Sequence, residues 1–318
     1  MGPPLVKPQK RRDLKFRFSR GDPFRGLAPG ELLLEQISDR QLRATRDHGQ
    51  RILNYQTRQF FELEAQRAAH RDKITAALQS VPGVPVDVSG WCRAIKGRYA
   101  HALLSCVGST KQSGRFNVGA DVDGGQRFPI FPALYVASDR TTAHCEMFGH
   151  VQQGSGLSAE ALALQSDTSI LWLALTGSIN NVFDLTQERN LVPFLKVTSI
   201  FKFSRDFRAY ERSLGIRPVL VANTTARLMT TFMDPSWRAF AAHVDLPANS
   251  QVFGGLAAAA GFEGIRYKSV RTGGDALAIF PRAFRNSASI VRVCDPHLGA
   301  HCVELSATTF SDCERVEW

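Results

Sequence analysis

The chain changes character at residues 81–90, where two prolines and two glycines occur within ten residues. Before this segment, residues 30–80 contain no proline, and their apolar side chains recur at helical intervals among Arg, Gln and Glu. After it, short β-type runs are separated by helical segments in an irregular order. The sequence therefore predicts a helical N-terminal unit and a boundary at 81–90, followed by an α+β domain with a mixed sheet rather than a doubly wound parallel one.

Particular elements can be placed within the α+β part. Ser138 and Asp139 offer an N-cap for a helix that runs through Glu146 to about residue 150. An Ala-rich segment at 253–261 predicts a short helix that ends at Gly261 as its C′ residue. Six runs are predicted as strands, at residues 91–95, 133–137, 169–175, 218–222, 264–267 and 276–280.

Charge and composition limit the class of protein. The net charge is +10, and eight Lys or Arg against two Asp crowd the first 25 residues, which predicts a basic flexible arm over residues 1–29. An arm that binds nucleic acid or a protein partner is the alternative, although no nucleic-acid-binding motif accompanies it. We expect no membrane span and no signal peptide, because no apolar run has the required length or position. The six cysteines lack framework spacing, so we expect reduced thiols in a cytoplasmic protein.

Common cofactor motifs are absent from the sequence. The dinucleotide fingerprint, the phosphate-binding loop, the zincin helix and the nucleophile elbow are all missing. Cys294, His297, His301 and Cys302 carry side chains of the type that bind metals, but their spacing fits no common zinc pattern. We therefore expect no metal site.

Five polar residues on largely apolar segments form the main functional signal. Arg93 lies in an apolar strand, Arg115 follows a glycine, Tyr135 alternates with Leu and Val, Glu146 lies in a helix with few charges, and Ser269 follows a strand. Each has an ordinary structural explanation when it is considered alone: an edge arginine, a turn, a packed tyrosine, a solvated carboxylate or a loop serine. Their order and spacing together indicate a ligand site with cationic, aromatic, acidic and hydroxyl groups.

These residues resemble the RES domain, the toxin partner of Xre-type antitoxins, which is named for its arginine, glutamate and serine. The resemblance covers about residues 90–284, with residues 285–318 as a C-terminal extension, and the segments at 120–131 and 187–250 are longer than is usual in that family. The matching features are the strand arginine Arg93, the Gly-Arg-Phe-Asn turn at 114–117, the Leu-Tyr-Val-Ala strand at 134–137, Glu146 in the following helix, the Asp-Leu-Thr element at 184–186, and the Gly-to-Arg segment at 261–271 with Ser269.

The resemblance implies an ADP-ribosyltransferase-like fold that cleaves the nicotinamide–ribose bond of NAD⁺, as a glycohydrolase or a phosphorylase. In this interpretation Glu146 stabilises the positive charge on the ribose, and Arg93 and Arg115 hold the pyrophosphate. Tyr135 stacks on nicotinamide and Ser269 orients the ligand. Arg271 is a further candidate for a phosphate contact, and no metal takes part.

Several alternatives stay open at this stage. The enzyme could transfer ADP-ribose to a protein target, or the chain could be an inactive basic protein that binds nucleic acid through its arm. An Xre-type antitoxin is the expected partner of a RES toxin. The helical unit at 30–80 is expected to contact that antitoxin or a second subunit.

Overall fold

The computed structural model describes residues 39–123, 127–148 and 169–315, and it divides into two compact units, Met1–Ile52 and Leu53–Trp318. The first unit, in its described part, is the beginning of the long helix α1 (Asp39–Ala69). The second unit contains the rest of α1 and the whole sheet. The predicted basic arm, residues 1–29, lies outside the described residues.

Nine further α-helices and eight strands follow α1 in the described residues. The helices are α2 (Arg71–Gln79), α3 (Val107–Lys111), α4 (Arg140–Phe148), α5 (Val192–Thr198), α6 (Arg205–Ser213), α7 (Thr225–Phe232), α8 (Trp237–Val244), α9 (Asn249–Ala259) and α10 (Phe310–Arg315). The strands are β1 (Val84–Asp87), β2 (Cys92–Lys96), β3 (Leu134–Ala137), β4 (Ile170–Asp184), β5 (Gly264–Lys268), β6 (Asp275–Ile279), β7 (Ile290–Val293) and β8 (Glu304–Leu305).

The eight strands form one mixed sheet in the order β2-β3-β6-β5-β4-β7-β8, with β1 paired to β4. Strand β4 makes the most pairings among the described strands: it pairs with β1, β2, β5 and β7 along its length. Only its pairing with β5 is parallel among the described strands. Since β2 pairs with both β3 and β4, the strands β2, β3, β6, β5 and β4 form a closed circuit of pairings. The predicted α+β class with a mixed sheet is confirmed.

Alternation along the strands divides the apolar side chains between two layers. Leu134 and Val136 of β3 belong to one cluster, which also contains Phe284 and Cys313. Tyr135, between them in sequence, packs against the other cluster. That second cluster includes side chains from the helices α2, α5, α7 and α9. The predicted site residue Tyr135 therefore faces the helical layer.

Two strand predictions differ from the structure. The run at 218–222, predicted as a strand, lies outside the sheet and has no regular secondary structure. Pro218 has no N–H to donate, and the backbone N–H of Val219 donates to the Glu211 side chain (3.0 Å) instead of to a strand. The run at 169–175 continues as a strand to Asp184. The sequence pattern does not predict this continuation, because it contains the polar residues Asn180 and Asn181. Their backbone N–H groups donate to the buried Glu263 carboxylate.

Segments outside the predicted α+β domain contribute to its core. Ile74 and Leu78 of α2 are fully buried in the helical-layer cluster. Strand β1 lies within the predicted boundary segment and pairs with β4. Strands β7 and β8 extend the sheet beyond residue 284. The second compact unit thus includes parts of the helical unit and of the C-terminal extension.

Helix α9 begins earlier than predicted, at Asn249, and Gly261 follows its end with φ +94°, as expected for a C′ glycine. Gly254 lets this helix approach the 114–117 turn closely: a Cβ at Gly254 would lie 2.0 Å from the Phe116 carbonyl oxygen. The neighbouring Gly255 has room, since its Cβ would lie 3.6 Å from the Phe131 ring.

We expect Gly254→Ala to lower the free energy of unfolding by about 1–3 kcal/mol, because the added methyl forces the helix away from the turn. Gly255→Ala is the matched control, and we expect it to raise stability by up to about 1 kcal/mol through helix propensity. Urea unfolding of both variants measures the two effects. Equal stabilisation by the two alanines would contradict the close contact.

Candidate active site

Glu146 is held in place by two hydroxyl groups from the end of β5. The Ser269 hydroxyl donates to its Oε1 (2.6 Å), and the Tyr267 hydroxyl donates to its Oε2 (3.2 Å). Helix α4 carries Glu146 and begins after Asp139, whose Oδ1 accepts the Thr142 N–H (2.8 Å) as the sequence predicted for a cap. Each carboxylate oxygen therefore has a hydroxyl donor, which fixes the orientation of the side chain.

The loop between β5 and β6 contains Ser269 and Arg271. Backbone bonds Ser269 N–H to Gly274 O and Gly273 N–H to Ser269 O close this loop. The Arg271 guanidinium donates to the carbonyls of Cys145 and Glu146 in α4. Arg271 therefore fixes the helix segment that carries the carboxylate, and its charge lies beside the site.

The turn at residues 114–117 is closed by a buried amide and by a tyrosine. Asn117 accepts the Gly114 N–H and the Tyr135 hydroxyl through Oδ1 (both 2.9 Å), and it donates to Ser109 O. The Tyr135 hydroxyl also accepts the Phe116 N–H (2.9 Å). Tyr135 therefore orders the turn with its hydroxyl, and its half-buried ring faces the same side of the sheet as Tyr267.

Arg115 projects from this turn into a buried position. Its Nη1 donates to Asp234 O (2.9 Å) and Phe232 O (3.4 Å), and its guanidinium lies 5.9 Å from the Trp237 ring centre. Burial lowers the pKa of Arg115, while Tyr267 and Glu146 favour its charged form. A guanidinium has five N–H donors, so Arg115 keeps further N–H groups for a ligand beyond these two backbone contacts.

Two further residues of the site were not predicted from the sequence. Arg238, in α8, interacts electrostatically with Arg271, Tyr135 and Glu146, and its pKa is lowered first by burial and then by Arg271. It lies in the long 187–250 segment, where no motif marks it. Burial, followed by the charge of Glu146, raises the pKa of Tyr267 well above its ordinary value, so its hydroxyl stays a donor. The alternation of β5 could have placed Tyr267 with Ser269 on one face.

Arg93 occupies the opposite layer of the sheet. It lies opposite Leu173 in the β2–β4 pairing, and both residues are on the face of the Leu134 cluster. Its Nη2 donates to Ser105 O (2.7 Å), burial lowers its pKa, and the ionisable groups that act on it are the thiols of Cys106, Cys313 and Cys302. The structure thus brings together Glu146, Ser269, Tyr135, Arg115 and Arg271, and it places Arg93 away from them.

The described residues contain neither a cluster of metal ligands nor a membrane-spanning helix. No group of three or more His, Cys, Asp or Glu side chains there could hold a metal ion. None of the helices in the described ranges has the length and apolar composition needed to cross a membrane.

A comparison of the chain with known protein families defines its class. The family model of the RES domain matches residues 91–300, which is more than half of the 318 residues. The chain therefore belongs to the RES domain family.

Other comparisons give little further similarity. No curated protein sequence matches the chain significantly. Among solved structures, the chain is similar to one in the crystal structure of the M. tuberculosis MbcT–MbcA toxin–antitoxin complex, at 12% identity and a TM-score of 0.37. That similarity covers 77% of this chain and 98% of the other.

Proposed function

We propose that this protein is a cytoplasmic toxin that degrades NAD⁺ by cleaving the nicotinamide–ribose bond, as a glycohydrolase or phosphorylase. The observation that supports this most strongly is the Glu146 carboxylate, which the Ser269 and Tyr267 hydroxyls hold and which interacts electrostatically with Arg115 and Arg238, while Arg271 binds the Glu146 backbone carbonyl. A fixed anion next to several cations suits a substrate that carries a diphosphate and develops positive charge on its sugar.

Loss of nicotinamide passes through an oxocarbenium-like state at the ribose. The Glu146 carboxylate would stabilise that positive charge, and it needs no rearrangement because both of its oxygens are already oriented. Ser269 and Tyr267 act as positioning residues, since each donates to the carboxylate. Nicotinamide would leave as the neutral base after taking the bonding electrons, and either water, which then releases a proton, or phosphate would bond to the ribose carbon.

The three arginines near Glu146 would bind the diphosphate. Arg115 retains N–H donors beyond its two carbonyl contacts, and guanidinium groups suit phosphate oxygens because they present paired donors. Arg238 adds a cation from α8, and Arg271 adds one from the β5–β6 loop. The half-buried ring of Tyr135 would stack on nicotinamide. Because Arg93 faces the other layer, we assign it no ligand contact.

We expect Ser269→Ala to lower the turnover of NAD⁺ by about 10- to 100-fold, because a hydrogen bond to a charged group contributes roughly 1.5–3 kcal/mol. Ser213→Ala, which removes an exposed hydroxyl bonded to Tyr210 O, is the matched control and should leave turnover unchanged. Initial rates of nicotinamide release measure both. Full activity of the Ser269 variant would remove this serine from the site.

The reaction is tested by incubating the purified full chain with NAD⁺, with and without inorganic phosphate, and identifying the products by mass. Free ADP-ribose indicates hydrolysis, and ADP-ribose 1″-phosphate indicates phosphorolysis. Label from NAD⁺ that remains on a protein added to the assay indicates transfer instead. Intact NAD⁺ in every sample would reject the proposed function.

An Xre-type antitoxin is the partner that we propose for this toxin. Expression of the chain alone should arrest bacterial growth and deplete cellular NAD⁺, whereas co-expression with an Xre-type protein encoded beside it should restore both. We propose that residues 30–80 contribute to contact with the antitoxin or with a second copy of the chain. Unchanged growth on expression of the active enzyme would argue against a toxin.

A further inference from the structure

Trp237 contacts two arginines in the segment that joins α7 to α8, residues 232–238, which we call the α7–α8 corner. The Arg115 guanidinium lies over its ring at 5.9 Å from the ring centre, and the guanidinium of the neighbouring Arg238 lies over it at 5.0 Å. Both distances are within the roughly 6 Å at which a ring face attracts a cation. Trp237 is buried, and the proposed reaction gives it no role.

The backbone of the α7–α8 corner also holds Arg115. Phe232 is the last residue of α7, and its carbonyl accepts a hydrogen bond from Arg115 Nη1 (3.4 Å). The Asp234 carbonyl accepts a second hydrogen bond from the same nitrogen (2.9 Å). The last carbonyls of a helix have no partner within the helix and carry partial negative charge, so a guanidinium is stabilised at this position. Two carbonyls and one ring of the corner therefore fix Arg115.

A short series of contacts connects Arg115 to Glu146. Phe116 follows Arg115 in the turn, and its ring packs edge-on against Tyr267 at 5.0 Å between centres. The Tyr267 hydroxyl in turn donates to Glu146 (3.2 Å). The charge of Glu146 also acts on both Arg115 and Arg238. The two arginines that Trp237 contacts therefore belong to the candidate site.

Within the described residues, neither Arg115 nor Arg238 forms an ion pair with a carboxylate. Two cations over one ring repel each other, and the negative face of the ring offsets part of that repulsion. An anion with two phosphate groups would offset the rest, because each guanidinium can then bind phosphate oxygens. The corner therefore suits a diphosphate better than a monophosphate.

We propose that Trp237 is a positioning residue that holds Arg115 and Arg238 together to bind the diphosphate of the nucleotide substrate. This role rests on the proposed function for the identity of that substrate. Trp237 acts through the two arginines, so it contributes to binding of the substrate and not to cleavage of the glycosidic bond. The corner lies in the 187–250 segment, which thereby supplies part of the phosphate site.

Calorimetric titration of the purified full chain with ADP and with AMP tests this role without any turnover of NAD⁺. We expect the unmodified chain to bind ADP more tightly by about tenfold or more, since the second phosphate gains charge-assisted hydrogen bonds. Trp237→Leu should weaken ADP binding by about 5- to 30-fold, as the loss of two cation–π contacts predicts, and AMP binding by less. Tyr210→Leu is the matched control: it removes a ring that lies under another cation, Arg58 at 4.4 Å, and should change neither affinity.

Further variants separate the role of Trp237 in binding from a loss of folding. Arg238 is accessible to solvent, so Arg238→Gln should keep the fold and lower the affinity for ADP more than that for AMP. Arg58→Gln neutralises the control cation and should change neither affinity. Trp237→Phe keeps a ring that attracts cations less strongly, so its affinity for ADP should lie between those of the unmodified chain and Trp237→Leu. If the leucine variant does not fold, Trp237→Phe and Arg238→Gln carry the test.

Kinetics with NAD⁺ provide a second measurement. Trp237→Leu should raise KM by about the same factor as it weakens ADP binding and leave kcat nearly unchanged, because substrate and transition state lose the same contact. Absence of NAD⁺ turnover would reject the proposed function and leave the ADP titration valid. Failure of the unmodified chain to bind ADP, or equal losses of ADP and AMP affinity in the Trp237 and Arg238 variants, would overturn the role of Trp237. Unchanged ADP affinity in a folded Trp237→Leu protein would overturn it as well.

Discussion

Glu146→Gln is expected to lower the rate of NAD⁺ cleavage by about 10²–10³-fold, which corresponds to roughly 2.7–4 kcal/mol of lost transition-state stabilisation. The amide has nearly the same shape but carries no charge, so it cannot balance the cation that develops on the ribose. It can still accept one hydroxyl hydrogen bond, and the fold should be kept. Nicotinamide release under saturating NAD⁺ measures the effect on the chemical step.

Glu188→Gln is the matched control for this substitution. Glu188 is an exposed carboxylate that accepts a hydrogen bond from Thr225, and its neutralisation should leave the rate unchanged. Circular dichroism of both variants should match that of the unmodified protein. A Glu146→Gln enzyme with full activity and a native spectrum would refute the assignment of the site, whatever the identity of the reaction products.

Phe253→Ala is expected to lower the free energy of unfolding by about 3–5 kcal/mol. Phe253 is 1% exposed, and its ring stacks on Phe232 at 4.4 Å between centres. The rings of Phe183 and Phe194 pack edge-on against it at 5.3 and 5.5 Å. Because these rings come from β4, α5 and α7, truncation opens a cavity where four elements meet.

Thermal and urea unfolding measure this loss, with Ile200→Ala as the control for removing apolar atoms at the surface. Ile200 is 56% exposed, so its truncation should change stability by less than about 0.5 kcal/mol. Phe253→Leu should lie between the two, since it keeps part of the buried volume. A Phe253→Ala protein as stable as the Ile200 variant would show that the aromatic cluster does not support the sheet.

The sequence predicted the parts of the fold that local patterns encode. The cap at Asp139, the glycine at 261 and the alternation in β3 each follow from nearest neighbours, and the structure contains all three. The extension of β4 through Asn180 and Asn181 was not predictable in this way. Its backbone donors bind Glu263, more than 80 residues later, and that pairing depends on the tertiary fold.

In the candidate site, too, some features follow from local sequence and others depend on the tertiary fold. Glu146 and Ser269 were candidates from their order in the chain, and in the structure a hydrogen bond joins them. Arg93 was predicted to contact the ligand but faces the other layer, because the side of a sheet that an arginine faces depends on register. Arg238 was not predicted, because a helix in a long insertion carries no sequence mark. Charge type was readable from the sequence, whereas the layer in which each charge lies was not.

The bond between Ser269 and Glu146 spans 123 residues of sequence. Strand β4 likewise finds its partners both before it, in β1 and β2, and after it, in β5 and β7. During synthesis at roughly 5–20 residues per second, Glu146 would precede its serine partner by about 6–25 s. The nascent chain therefore has no assembled candidate site until Ser269 has been synthesised, which delays any activity of that site to this point.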